Sequence, residues 1–195
     1  MKVNGVILAA GTSSRMEWNK LLLPYNNHTI IEEVALQLSG SKVDNILIVT
    51  GFEKNLVERA VKNAEKLKPV HNENYKLGRA ESIKCAVQHT DKDADALLFM
   101  VGDKPTVSSD LINNAIYKFK KTKPKLLYTQ TPSGRGHPII FSKALFPELL
   151  LLAGDEVGND LIDRYKDETV ILEDNEIQVD IDTISDYNLL LKKNC

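Results

Sequence analysis

Several things are scarce in this chain, and each scarcity removes a class of protein. Only two cysteines occur, Cys85 and Cys195, and they form no Cys-x-x-Cys pair. Two such thiols build no disulfide framework and fit a reduced, cytosolic protein. The four histidines, at positions 28, 71, 89 and 137, lack the spacing of a zinc site. No apolar run approaches the roughly 20 residues of a membrane span. The apolar stretch Gly5 to Ala10 is also far shorter than a secretory signal needs. The expectation is therefore a cytoplasmic protein with no membrane partner. Basic excess is missing too. The formal charge is −2, whereas nucleic-acid binders carry a positive surplus, so no nucleic-acid partner is expected. The lysines at 118, 120, 121, 123 and 125 have no interleaved aromatic platform and read as the solvated end of a helix. Gly-x-Ser-x-Gly, Gly-x-Gly-x-x-Gly and the Walker Gly-Lys-Ser/Thr are all absent.

What the chain does have is an alternation of apolar runs and helical patterns over 195 residues, a length suited to one domain spanning 1–195. Val3 to Leu8, Ile46 to Val49 and Ala96 to Val101 are continuously apolar, the mark of strands buried on both faces. Thr29-Ile30-Ile31-Glu32 has capping-box spacing ahead of Ile31, Val34, Ala35 and Leu38. Further helices are expected over Glu53 to Leu67, Arg79 to His89, and from Ser108-Ser109-Asp110 through Phe119. Later, Leu126 to Thr129 and Pro138 to Phe141 read as strands around the loop Pro132 to Gly136. A helix is expected over Lys143 to Leu152, then strands at Val170 to Leu172 and Ile177 to Ile181. Thr183-Ile184-Ser185-Asp186 is a second capping box, opening a helix through Leu191. The pattern predicts an α/β fold with helices on both faces of the sheet, and ligands at the carboxyl ends of the strands.

The loop after the first strand, Leu8-Ala9-Ala10-Gly11-Thr12-Ser13-Ser14-Arg15-Met16, suits that role. Small residues let a ligand approach the backbone, and successive N–H groups can form an anion nest. Arg15 and Lys20 bring two cations close by, one a fork and one a point charge. Spacing alone allows a phosphate site and a plain small-residue turn equally. At the end of another apolar run, Gly102-Asp103 places a carboxylate where it serves either as a turn residue or as a Mg²⁺ ligand. Asp180-Ile181-Asp182 sets two more acids on one face of an extended segment.

Taken together, Leu8-Ala9-Ala10-Gly11-x-x-x-Arg15-Met16-x-x-x-Lys20-Leu21-Leu22-Leu23-Pro24 resembles the signature of the molybdenum cofactor cytidylyltransferase family, within the wider MobA-like nucleotidyltransferase group. The resemblance continues through Gly78 with Ser82-Ile83, Gly102-Asp103-x-Pro105, Gly136-His137-Pro138, Gly154-Asp155 and Asp180-Ile181-Asp182-Thr183. It implies a three-layer Rossmann-like fold with a mostly parallel, mixed sheet. It also implies a nucleotide held by Leu8, Ala9, Ala10, Gly11, Thr12 and Ser13, with Arg15 and Lys20 on its phosphates. Asn72 and Ser82 would flank the base. Mg²⁺ would sit on Asp103 and, of the later pair, on Asp182. The implied catalytic set is Arg15, Lys20 and Asp103. The implied partners are a nucleoside triphosphate, with CTP favoured, a molybdopterin-type cofactor and a recipient molybdenum hydroxylase. Two alternatives stand beside this: transfer to a sugar or alcohol phosphate, and a non-catalytic carrier of the cofactor.

Some positions depart from the pattern. Glu17 replaces a glycine, Lys104 an uncharged residue, and Val157 and Asn159 a glycine and an arginine after Gly154-Asp155. Gly78-Arg79-Ala80-Glu81-Ser82 lacks the usual run of serines. His137 reads either as a turn residue or as a substrate contact.

Overall fold

The computed structural model describes residues 1–16, 18–156 and 158–192; Glu17, Val157 and Cys195, singled out in the sequence, lie outside them. The continuously apolar first run forms β1 (Val3–Ala9), with Val3, Ile7 and Ala9 on one face and Val6 on the other. After a loop and a 3₁₀ turn at Lys20–Leu22, β2 (Pro24–Tyr25) and β3 (His28–Thr29) make a small antiparallel ribbon. α1 (Ile30–Ser39) starts where expected, since Thr29 Oγ1 accepts the Glu32 N–H at 3.3 Å. Then come β4 (Ile46–Thr50), α2 (Lys54–Ala60), β5 (Leu67–His71), α3 (Arg79–His89) and β6 (Ala96–Val101). α4 (Ser109–Thr122) is capped by Ser108, whose hydroxyl accepts the Leu111 N–H at 3.2 Å. β7 (Leu126–Thr131), β8 (Gly134–Ser142), α5 (Phe146–Leu149), α6 (Asn159–Arg164), β9 (Thr169–Glu173) and α7 (Ile184–Lys192) complete the described elements.

The main sheet has seven strands in the order β5-β4-β1-β6-β8-β7-β9. β5, β4, β1 and β6 pair in parallel, as do β7 and β9, while β8 runs against both of its neighbours. The sheet is thus mixed and mostly parallel, with a helical layer on each face. On one face Ile31, Val34 and Leu38 of α1, Val57 of α2, and Ile112, Ile116 and Phe119 of α4 pack with Ile7, Ile48 and Leu98. On the other, Ala80, Ile83 and Ala86 of α3 join Leu149 and Leu161 against Val6, Leu97 and Phe141. Each fully buried aliphatic side chain stabilises by roughly 1.5–3 kcal/mol, so both clusters are needed to order the sheet. Among the described residues no helix is long and apolar enough to cross a membrane.

Three expected elements come out differently. The helix expected over Glu53 to Leu67 stops at Ala60, and the chain turns through Lys66 at φ 59° into β5. That strand was hidden by Pro69, which is acceptable because β5 is an edge. The helix expected over Lys143 to Leu152 is a 3₁₀ turn (Lys143–Leu145) followed by the single turn of α5, with Pro147 at its start. Ile177 to Ile181 is extended but joins no strand ladder.

α1 lies so close to β1 that a Cβ on Gly5 would stand 2.8 Å from Leu38 Cδ2. Gly5→Val should therefore cost about 1–3 kcal/mol of unfolding free energy through overpacking. Urea denaturation monitored by circular dichroism reads this directly, and an unchanged midpoint would contradict the close packing.

Candidate active site

β1 and β6 are neighbours at the middle of the sheet and end on the same edge. Their exits are tied together, because the Gly102 N–H donates to the Leu8 carbonyl at 3.0 Å. A Cβ at 102 would meet Ile31 Cδ1 at 2.8 Å, so glycine lets α1 pack close behind the residue that leads into Asp103. On the β1 side, Ala9 and Ala10 are buried and Gly11 and Thr12 are exposed. No heavy atom lies within 4 Å of where a Cβ on Gly11 would stand, which leaves that face of the loop open. Ser13, at φ 51°, accepts the Met16 N–H on its carbonyl at 2.8 Å and the Lys20 N–H on its hydroxyl at 3.2 Å. These bonds fold the loop back on itself and bring Arg15 and Lys20 to the same side. Asn19 Oδ1 accepts the Leu21 N–H at 3.1 Å and so caps the short turn that carries Lys20.

The side chains that meet in front of this loop form a chain of alternating charge. Lys20 Nζ lies 2.5 Å from Asp103 Oδ2 and 3.0 Å from Asp182 Oδ1. Arg15 Nη1 lies 2.9 Å from Asp182 Oδ2. Lys20 and Asp103 are 15% and 18% exposed, whereas Arg15 is 68% exposed, so the first pair is sheltered and the last is screened by water. Burial alone would lower the Lys20 pKa, but the Asp103 and Asp182 carboxylates outweigh it and hold the ammonium above its ordinary value. Lys20 is therefore charged throughout the neutral range.

Two carboxylates close enough to share one ammonium suit a hard cation that takes one or two carboxylates and completes its shell with phosphate oxygens and water. Among the described residues no cluster of three or more acidic, imidazole or thiol groups forms a ready-made cage. The donor set thus fits an ion that arrives with a triphosphate. Asp180 is not part of this arrangement. It points to the nearly buried Lys104, with Oδ1 2.8 Å from Nζ.

The remaining expected residues lie along the same edge of the sheet. Asn72 and Ser82 are buried and bonded to each other, Nδ2 donating to Oγ at 3.1 Å, while Asn72 Oδ1 accepts the Asn74 N–H. That pair shapes the turn after β5. Gly78, at φ 120°, comes so near Gly154 that a Cβ would sit 2.2 Å from its carbonyl oxygen, and the Ala80 N–H donates to that same oxygen at 3.0 Å. The Gly154-Asp155 motif therefore buttresses the start of α3. A cavity of about 490 Å³ lined by Gly51, Lys54, His71 and Tyr75 opens beside Ala10. Asn159 begins α6 on an exposed turn.

Sequence reasoning missed Gln178. Its side chain is 5% exposed, its Oε1 accepts the His137 N–H at 2.8 Å, and its Nε2 donates to the His137 carbonyl at 2.5 Å. The sequence offered little signal, since Gln178 is one of several polar residues alternating with Ile177, Val179 and Ile181.

A deep loop at the end of β1 with a cation–carboxylate chain before it, on a mixed Rossmann-like sheet, defines the nucleotidyltransferase class. The comparisons agree. The MobA-like NTP transferase domain matches residues 5–169, and the chain belongs to that family. It is 28% identical to the molybdenum cofactor cytidylyltransferase of Escherichia coli (strain K12), over 95% of this chain and 93% of the relative. It is 26% identical to nicotine blue oxidoreductase of Paenarthrobacter nicotinovorans, over 97% and 96%. Among solved structures, Rv0371c from Mycobacterium tuberculosis H37Rv superposes with a TM-score of 0.85 at 26% identity, covering 98% of both chains. The same protein in complex with manganese gives 0.81 at 25%, covering 98% of this chain and 99% of that one.

His137 packs behind the charge chain with Nδ1 3.1 Å from the Phe99 carbonyl. Burial, reinforced by the Lys104 charge, lowers its pKa despite that bond and the nearby Asp103 and Asp180. The folded protein thus keeps the imidazole neutral, while the unfolded chain protonates it near the ordinary value of about 6.5. The unfolded state binds the extra proton, so this group's contribution to stability is full above pH about 6.5 and declines below it. His137→Asn should flatten that part of the stability–pH curve between pH 7 and 5. An identical slope in denaturant titrations of both proteins would show that His137 does not contribute.

Proposed function

We propose that the chain is a Mg²⁺-dependent cytidylyltransferase that moves CMP from CTP onto the terminal phosphate of a molybdopterin-type cofactor and releases pyrophosphate. The observation that carries the reading is the single ammonium of Lys20 held between Asp103 and Asp182, directly beside the open face of the Leu8 to Gly11 loop. The 28% likeness to the E. coli cytidylyltransferase over nearly the whole chain supports the choice of base and acceptor.

When bound at Asp103 and Asp182, a divalent ion supplies Lewis-acid neutralisation of phosphate charge. The protein's own groups do the rest. Backbone N–H groups from Ala10 to Ser13 receive the triphosphate, and Arg15 grips its outer phosphates with a two-pronged contact. Lys20, the ammonium at the centre of the charge chain, would neutralise the α-phosphate, where negative charge builds as the bond forms. An oxygen of the acceptor phosphate attacks the α-phosphorus. The bond from that phosphorus to the bridging oxygen breaks, and pyrophosphate leaves with the electron pair. An acceptor phosphate is already ionised at neutral pH, so no protein nucleophile is required, and catalysis consists of positioning and charge neutralisation.

A second reading keeps the same chemistry with a sugar or alcohol phosphate as acceptor. It is favoured by Asn159, which leaves no cation where the resemblance would place an arginine. A recipient molybdenum hydroxylase belongs only to the first reading.

Pyrophosphate release measured for each of CTP, GTP, ATP and UTP, against molybdenum cofactor and against sugar phosphates, decides between them. The expected signal is greatest with CTP plus molybdenum cofactor, and turnover with a different pair alone would overturn that specificity. In the productive pair, Lys20→Met should reduce kcat by about 100-fold or more, the scale of losing one charge-stabilising donor. Asp103→Ala should abolish turnover in a protein that still folds. Wild-type turnover by either variant would remove that residue from the mechanism.

A further inference from the structure

Asp182 reaches the site from a stretch without secondary structure, the segment between β9 and α7. Something other than a strand must therefore fix its position. Downstream, a reciprocal cap does part of the work: the Thr183 N–H donates to Asp186 Oδ2 at 2.8 Å and the Asp186 N–H to Thr183 Oγ1 at 3.2 Å. The Asp182 N–H also donates to Asp186 Oδ2, at 3.2 Å. Ile181 is fully buried with Tyr25, Ile30 and Leu190.

Upstream, two side chains anchor the segment at separate points. Gln178 uses its amide as a strand would use its peptide, taking the N–H and the C=O of His137 together. Those two groups are free for it because the β7–β8 register shifts at Tyr128/Thr129 and leaves His137 outside the ladder. The approach is so close that a Cβ on Gly136 would lie 2.7 Å from Gln178 Oε1. The glycine of the Gly136-His137-Pro138 motif thus lies tightly between Gln178 and Thr131, whose Cγ2 would also be 2.7 Å from such a Cβ. The second anchor is Lys104, next to the other metal carboxylate, which holds Asp180 at 2.8 Å. Lys104 is 6% exposed and Asp180 largely exposed. An ammonium left in that setting without its partner would be costly, so the pair is held rather than optional.

We infer that Gln178 and Lys104 are positioning residues that brace the 177–182 segment at two points and thereby set Asp182 opposite Asp103 at the spacing a divalent ion needs. The inference rests on the proposal that these two carboxylates hold the ion. Charge makes it sharp. Lys104 is a cation beside a cation site, so if it acted only through its field its removal would tighten metal binding. A brace predicts the reverse.

The test uses the purified full chain with Mn²⁺ alone as the probe, free Mn²⁺ being measured by electron paramagnetic resonance. Asp103→Asn and Asp182→Asn establish whether these carboxylates hold the ion. Gln178→Leu and Lys104→Met should each weaken Mn²⁺ binding by about 10-fold or more, the scale for losing an outer support of a metal ligand. Lys104→Arg should recover most of the loss, and Gly5→Val, destabilised elsewhere, should leave Mn²⁺ affinity unchanged. If Gln178→Leu does not fold, Gln178→Glu replaces it, since it keeps the acceptor for the His137 N–H and loses the donor to the carbonyl. Wild-type or tighter binding by the folded Gln178 and Lys104 variants, with Asp182→Asn defective, overturns the brace and leaves the metal site standing. Wild-type binding by both aspartate variants instead overturns the metal reading, and the brace with it.

Discussion

The structure depends on one ammonium group shared by two carboxylates. Asp103 and Asp182 lie 83 and 162 residues from Lys20 in sequence, yet both contact its Nζ. Two acids brought together at the end of a sheet repel, and neither is fully exposed to water that would screen them. Lys20 resolves this, and Arg15 adds a second, solvent-exposed contact to Asp182. The fold thus gathers four charged groups from distant parts of the chain at one edge of the sheet.

Much of the framework that achieves this can be read in the sequence, for local reasons. β1, β4 and β6 are continuous apolar runs because helices cover both faces of the parallel part of the sheet. The caps at Thr29 and Thr183 set the starts of α1 and α7 by local bonds: the Thr29 hydroxyl accepts the Glu32 N–H, and Thr183 and Asp186 cap each other reciprocally. Asp103 stands out for similar reasons, at the end of an apolar run and after a glycine. Where the partner is distant the sequence falls silent. β5 carries Pro69 and the exposed Lys68 and becomes a strand only because β4 offers it a ladder. The strand expected over Ile177 to Ile181 has the right alternation, but Gln178 supplies with its side chain the bonds a ladder would have supplied.

Motif glycines teach the same lesson from another side. Gly78, Gly102 and Gly136 all belong to patterns that mark the family, and the obvious expectation is backbone approach to a ligand. Within the protein each also lies close against a neighbour: the Gly154 backbone for Gly78, the Ile31 side chain for Gly102, and the Gln178 and Thr131 side chains for Gly136. These contacts join segments far apart in the chain, so the motif is best understood as the seam along which the site's loops are held together. Gly11 differs. Nothing crowds it, so the loop after β1 stays open on that side.

This division bears on where specificity resides. Arg15, Lys20, Asp103 and Asp182 form one connected set of alternating charge. Base and acceptor must then be distinguished by groups around this set, on the two flanks of the sheet edge. On the β5 side, Asn72 and Ser82 are buried and bonded to each other. On the β8 side, His137 is kept neutral by burial and Lys104 is already engaged by Asp180. Neither offers a free charge to an anionic acceptor in the metal-free state. Substitutions on either flank fall outside the ion pairs that join Arg15, Lys20, Asp103 and Asp182, so the surroundings of the charge chain can change while the chain itself stays intact.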